Sequence, residues 1–181
     1  MNNIERRDRQ MLYISDDRVF EEQKKCRALL QKLNFMDRAD FDGITALVKE
    51  LLGTSDGAFI NPPFYCDYGF NIEVGEDFFA NTNMVILDEA RVTFGDHVFI
   101  GPNCSFYTPC HPIDAESRNA GKQWSLPIKV GNNVWLGGNV TVCPGVTIGD
   151  GTVIGAGSVV THDIPAGVLA AGNPCRVIKT I

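Results

Sequence analysis

From residue 130 to residue 165 the chain reads VGNNVW LGGNVT VCPGVT IGDGTV IGAGSV VTHDIP. Each block of six opens on an aliphatic residue: Val130, Leu136, Val142, Ile148, Ile154 and Val160. Four positions later stands a small or β-branched one: Val134, Val140, Val146, Thr152, Ser158 and Ile164. A period of six matches neither a helix nor a long alternating strand. It matches a solenoid in which one short strand and one turn make a flat side and three sides close a triangular coil. The opening aliphatic then points inward and stacks on its equivalents in neighbouring coils, roughly 4.8 Å away. Gly and Asn supply the tight conformations that corners need.

The same beat holds upstream, less cleanly. Tyr68, Val74, Ala80 and Ile86 lie six apart, the phase slips by two around Asp88–Val92, and it resumes at Phe94, Ile100 and Phe106. Phe106 and Val130 are again a multiple of six apart, so the polar segment between them, 112–127, leaves and rejoins the coil on the beat. Residues 58–165 without that loop supply about five coils, above the roughly three a solenoid needs. Residues 1–53 carry the helical period instead. Ile44, Leu47, Val48, Leu51 and Leu52 form one stripe, with Asp40 or Asp42 as its cap; Val19, Phe20, Cys26, Leu29, Leu30 and Leu33 form another. The expected division is a small helical cap, 1–57, and a β-helix, 58–181, with the excursion loop and a C-terminal tail.

Composition narrows the function. The net charge is −6, against the basic stripe of a nucleic-acid binder, though a few local cations can hold an anionic small ligand. No run approaches the length of a membrane span. MNNIERRDRQ lacks the apolar stretch of a secretory leader, and the six cysteines form no CxxC pair. A cytoplasmic protein with reduced thiols is expected.

Four stretches carry a resemblance: MLYISDDRVF; NPPFYCDYGFNIEVGEDFFANTN; TPCHPID followed by SRNAGK; and PIKVGNNVW onward to NPCRVIK. Together they resemble the hexapeptide-repeat sugar O-acetyltransferases, the maltose, galactoside and nodulation acetyltransferase group, over nearly the whole chain. The resemblance implies a mainly β fold, a left-handed parallel β-helix of hexapeptide repeats with a small N-terminal α-helical cap. It implies acetyl transfer from acetyl-CoA, as co-substrate, to a sugar hydroxyl (maltose-, glucose- or galactoside-like), without a metal. It implies a homotrimer with sites between subunits.

The resemblance also assigns residues, and their chemistry suits the roles. His111 falls on the catalytic histidine; a neutral imidazole can take the proton of an attacking alcohol. Asn81 falls on a position at the reacting centre; its amide can donate to an oxyanion without changing charge, although Asn is also a common corner residue, the reading given to Asn83. Asp67, Tyr68 and Asp17 match acceptor-contacting positions, with Asp16 equally suitable chemically and Asp17 also readable as a helix cap. Trp135 matches a residue beside the coenzyme arm, and Gly138 one whose N–H points at the thioester carbonyl. Ala156, Thr161, Arg176 and Lys179 match coenzyme-contacting positions, the two cations suiting phosphates.

There are two departures. His162 stands where a Lys is frequent, and Cys110 precedes His111 where a small or hydroxyl residue is usual. Direct transfer is favoured over an acetyl-cysteine, because neighbours in a strand point to opposite sides. Two other readings stay open: a zinc hydratase of carbonic anhydrase type on the same scaffold, for which His97, His111 and His162 show no short paired motif, and acetyl transfer to an antibiotic or a polysaccharide.

Overall fold

The computed structural model describes residues 1–53 and 58–181. The expected cap boundary at 57 lies outside the described residues. From Ala58 the chain winds into a parallel β-helix of three faces. The first face stacks Phe59–Ile60, Phe79–Ala80, Phe99–Ile100, Trp135–Leu136, Val153–Ile154 and Val168–Ala171. The second stacks Phe64–Cys66, Met84–Leu87, Ser105–Tyr107, Thr141–Val142 and Val159–Val160. The third stacks Ile72–Val74, Val92–Phe94, Ile128–Val130 and Thr147–Ile148. Equivalent hexad positions pair across coils, as in Ala80↔Ile100, Leu136↔Ile154 and Val142↔Val160. The coil outlasts the expected five turns: Val168–Ala171 adds a sixth rung to the first face, where the hexads beyond Pro165 are no longer legible.

The core is the predicted stack. Val130, Leu136, Val142, Ile148, Ile154 and Val160 are all buried, and so are all six residues four positions on. Each large aliphatic removed from water contributes about 1.5–3 kcal/mol. Two of the three corner columns are tight. At the third-to-first corner the side chains of Asp96, Asn132 and Asp150 accept from the backbone N–H of Glu76, Asp96 and Asn132 in turn. His97 belongs to this column: it holds a left-handed corner conformation, φ 55°, with Nδ1 3.2 Å from Asp77. At the first-to-second corner a Cβ on Gly137 would lie 2.7 Å from the Ala156 nitrogen, so the close approach of these two coils excludes a side chain at position 137.

The second-to-third corner differs. At two later corners there the inward positions lie four apart, Val142 to Val146 and Val160 to Ile164. At the two earliest they lie six apart, Cys66 to Ile72 and Ile86 to Val92, and the corner between these and the narrow ones in the stack throws out the long loop. The expected phase slip at 88–92 is therefore one of two. The other, at 67–71, corrects the reading of Tyr68 as an inward rung. Cys66 occupies that rung, and Tyr68 sits on the widened corner.

Among the described residues the cap comprises three helices: α1 (Asn3–Asp8), α2 (Asp17–Asn34) and α3 (Phe41–Leu51). Asp40 is the α3 cap, accepting from the Gly43 N–H at 2.9 Å. Val19, Cys26, Leu30 and Leu33 of α2 are buried, but Phe20, expected on that face, is 47% exposed. The cap closes the first coil. Asn34 exchanges two hydrogen bonds with Phe64, filling the role a preceding rung would have filled, and Cys26 Sγ meets Cys66 Sγ at 3.5 Å. No helix among the described residues is long and apolar enough to cross a membrane.

Candidate active site

The widened corners lie one above another along a single edge, and they carry Asp67, Tyr68 and, on the excursion, His111. Asp88, fully buried, accepts from the N–H groups of Asp67, Tyr68 and Gly69 at 2.8–3.0 Å and so fixes the shape of the corner below it. Burial pushes its carboxyl up to about 6 while the N–H donors pull it back, so it is ionised at neutral pH. The Thr108 hydroxyl does the same for the corner above, accepting from Ala90 N–H at 3.0 Å and donating to the Leu87 carbonyl at 2.7 Å.

Beside Asp88 stands Glu89, which sequence reasoning did not single out. Burial, and the charge of Asp67 next to it, push its carboxyl up to about 8. Burial raises Asp67 as well, and its contact with Glu89 pulls it back down. Burial and their mutual charge thus both oppose ionisation of the two carboxyl groups together, most strongly at Glu89. The available signal was the phase slip itself: two extra residues in a repeat are chain released from packing, and Glu89 is one of them. Tyr68 packs under the Arg7 guanidinium, 4.6 Å from its ring centre, and burial raises its phenol to about 12. Arg7 is itself buried and ion-paired to Asp8 and Glu22 at 2.9 and 2.7 Å. The buried Tyr13 hydroxyl, close enough to feel the charge of Glu89, finds no partner among the described residues.

His111 lies at the foot of the excursion. The loop is a hairpin: Pro109–Cys110 pairs antiparallel with Lys122–Ser125, and the tip folds into one short helix, α4 (Ala115–Asn119), capped by Asp114. The cap strand Tyr13–Ile14 adds to the hairpin's other side, and Gln123 donates to Ser15 at 2.9 Å. Loop and cap therefore form one wall. Arg118 turns back onto the carbonyls of Pro112 and Ile113. The His111 ring is exposed, with Nδ1 3.4 Å from the Lys122 carbonyl. A proton on Nδ1 facing that carbonyl leaves Nε2 as the free lone pair. Cys110 is half-buried, and burial raises its thiol, which disfavours the thiolate a covalent route needs.

In the cap, Asp16 is the helix cap of α2 and not Asp17. It accepts from Arg18 and Val19 N–H and from the Asn3 amide, which holds it below the usual carboxylate range. Asp17, one residue on, is exposed and shares a surface groove with Phe20, Gln23 and Arg27.

The remaining candidates split between two places. Asn81, Gly138 and Ala156 all lie on the first-to-second corner, with Trp135, 56% exposed, on the outer surface just before it. Trp135 continues an outward ladder in register with Phe59, Phe79 and Phe99. Asn81 Oδ1 accepts from Thr82 N–H at 2.8 Å, which leaves its amide N–H₂ to serve another group. Asn83 is a corner residue, φ 62°. This edge and the His111 edge border opposite sides of the second face, about 17 Å apart for five extended residues. One chain's corners do not bring Asn81 to His111.

At the far end, Thr161 Oγ1 is 2.9 Å from His162 Nδ1, and His162 shares a recess of about 300 Å³ with Arg176. Lys179 projects from the same terminal strand, Arg176–Thr180. His97, His111 and His162 stand at three separate sites, and no group of three metal-ligating side chains forms among the described residues.

Comparison with known proteins places this arrangement. Residues 127–162 match the bacterial transferase hexapeptide family (six repeats), and residues 9–57 match the maltose acetyltransferase hexapeptide capping motif. The galactoside O-acetyltransferase of Escherichia coli is 45% identical over 162 residues, 89% of this chain and 80% of that one. A galactoside acetyltransferase solved in complex with coenzyme A superposes with TM-score 0.96 at 42% identity, covering 100% of this chain and 92% of the other. A maltose O-acetyltransferase from Clostridium difficile 630 superposes equally well, TM-score 0.96 at 43% identity, covering 100% and 98%. The chain belongs to the hexapeptide-repeat acetyltransferases, in the group that carries the maltose acetyltransferase capping motif.

Proposed function

We propose that this protein is an acetyl-CoA-dependent O-acetyltransferase that moves the acetyl group to a hydroxyl of a sugar, with His111 as general base. The observation that carries the reading is the single edge on which His111, Asp67 and Glu89 gather, walled by the hairpin and the cap. Coenzyme-bound relatives of the same fold support the co-substrate.

The acceptor hydroxyl oxygen attacks the thioester carbonyl carbon while His111 Nε2 takes its proton. The carbon becomes tetrahedral, and its oxyanion is met by the Gly138 N–H and the Asn81 amide. The C–S bond then breaks, the imidazolium returns the proton to the departing sulfur, and the products are the sugar ester and free coenzyme thiol. Asp67 and Glu89 accept and donate to neighbouring hydroxyls, with Tyr68 and Asp17 at the margin. Trp135 and Ala156 flank the pantetheine, and Thr161, Arg176 and Lys179 meet the coenzyme's polar end. Because Asn81 and Gly138 lie on the opposite edge from His111, the site is completed by a neighbouring subunit of a homotrimer. The protein works in the cytoplasm.

Free-thiol release from acetyl-CoA against a panel of glucose, maltose, galactosides and chitin fragments tests the reading. His111→Ala should lower turnover about 10²–10⁴-fold without unfolding the protein. Thiol release with an antibiotic or a polysaccharide, but with no small sugar, would reassign the acceptor.

A further inference from the structure

Between α1 and the widened corner at 88–91 lies a recess of about 540 Å³. It is separate from the groove along Asp17 and from the terminal recess at His162. Gln10, Phe70, Asn71, Glu89, Arg91 and Lys129 line it. None of its residues except Glu89 has a part in the transfer described above. We propose that this recess is a second sugar subsite, which holds the neighbouring glycosyl unit of a neutral oligosaccharide acceptor. The proposal rests on the sugar-acetylation reading and names the size class of its acceptor.

Three features of the recess favour a glycosyl ring over other occupants. The first is volume: about 540 Å³ falls within the range of small-molecule sites. The second is lining. Phe70 is 47% exposed and backed by Tyr68 at 5.5 Å between ring centres, so one face of a fixed aromatic ring is offered to solvent. Around it stand amide, carboxyl and guanidinium groups, the planar donors and acceptors that pair with vicinal hydroxyls. Asn71 is held in place by donating to the Asp88 carbonyl at 2.7 Å. The third is charge. Arg7 is committed to Asp8 and Glu22, and Arg91 to Glu73 at 2.9 Å. A phosphate would find two of the three lining cations already paired and only Lys129 left to it, whereas a polyol can hydrogen-bond to the pairs as they stand.

The recess also lies at the right place. Pro127, at the returning foot of the hairpin, forms part of its wall. Three residues up that strand, Trp124 pairs with Cys110, next to His111, about 10 Å away. Glu89 stands between, in contact with Asp67 on the catalytic side and lining the recess on the other. A ring bound at Asp67 and a ring bound at Phe70 would share Glu89, which fits adjacent units of one chain.

The test compares glucose with maltotriose and chitotriose as acceptors for the wild-type enzyme and for Arg91→Ala/Lys129→Ala, two exposed side chains outside the transfer site. Wild type should show a lower KM for a trisaccharide than for glucose. The double variant should raise the trisaccharide KM about five- to tenfold while leaving the KM values for glucose and acetyl-CoA unchanged. Phe70→Ala should act in the same direction. Equal KM values for short and long acceptors, or a variant that shifts both alike or neither, overturns the subsite. Calorimetric titration with the same trisaccharides separates this failure from that of the parent reading. If no sugar is acetylated, the acetylation reading falls. Trisaccharide binding that the variant weakens then still supports the subsite, and its absence in wild type removes it.

Discussion

Burial and the charge of Asp67 beside it both oppose the ionisation of Glu89. The folded protein holds a proton at Glu89 up to about pH 8, where an ordinary glutamate releases it near 4.5. A carboxyl whose pKa rises on folding binds the proton more tightly in the folded state. Its contribution is fully present below the ordinary value and is lost as the pH rises through about 8. Thermal unfolding of the wild type should therefore shift to lower temperature between about pH 5 and pH 9. Glu89→Gln, which keeps the neutral shape, should flatten that decline. A wild-type midpoint that stays level over this range, or a Gln variant with the same slope, would remove the raised Glu89 carboxyl from the account. The same pair shows how the sequence was legible and where it was not. His111 and Asp67 stand inside recognisable motifs. Glu89 was marked only by a lost beat, and its chemistry comes from burial, which no residue type announces.

At the scale of elements, the hexads told the inward stack almost rung by rung, because each aliphatic faces the same neighbours in every coil. They misled where a residue fitted the period by coincidence. Tyr68 lies six before Val74 yet belongs to a corner, since the widened turn at 67–71 shifts the true rung to Cys66. The hairpin was legible as a break in period, but its partner was not. The pairing of Tyr13–Ile14 with Lys122–Ser125 joins segments more than a hundred positions apart, and two-residue strands leave no pattern of their own. That pairing gives a prediction. Replacing residues 112–121 by a short turn should leave the coil folded, with its circular dichroism unchanged, while kcat/KM for the acceptor falls at least tenfold. The tip of the acceptor wall, with His111's following turn and the short helix, is then gone, while Lys122–Ser125 still pairs with the cap strand. Unchanged acceptor kinetics would show that the hairpin serves another purpose.

For the whole molecule, the two edges of the second face pose the central question of assembly. Asn81 and Gly138 lie on one edge and His111 on the other, so the proposed mechanism calls for a second copy. His111→Ala and Asn81→Ala should each be nearly inactive alone. Mixed after unfolding and refolded together, they should recover about a quarter of wild-type activity, because about a quarter of the interfaces then carry one intact half-site from each variant. No recovery in refolded mixtures of confirmed mixed composition would mean that each subunit works alone.

Both ends of the coil are closed to further rungs. At one end the helices cover it, with Asn34 standing in for a missing strand. At the other, Arg176–Thr180 runs back antiparallel to Val168–Ala171, with every side chain exposed and two cations among them. An incoming parallel strand meets a reversed and positively charged border. Lengthwise growth by added parallel strands is opposed at both borders. The stopper is also the strand that carries Arg176 and Lys179, so shortening the chain there to make it sticky would in the same cut remove the two cations proposed to meet the coenzyme.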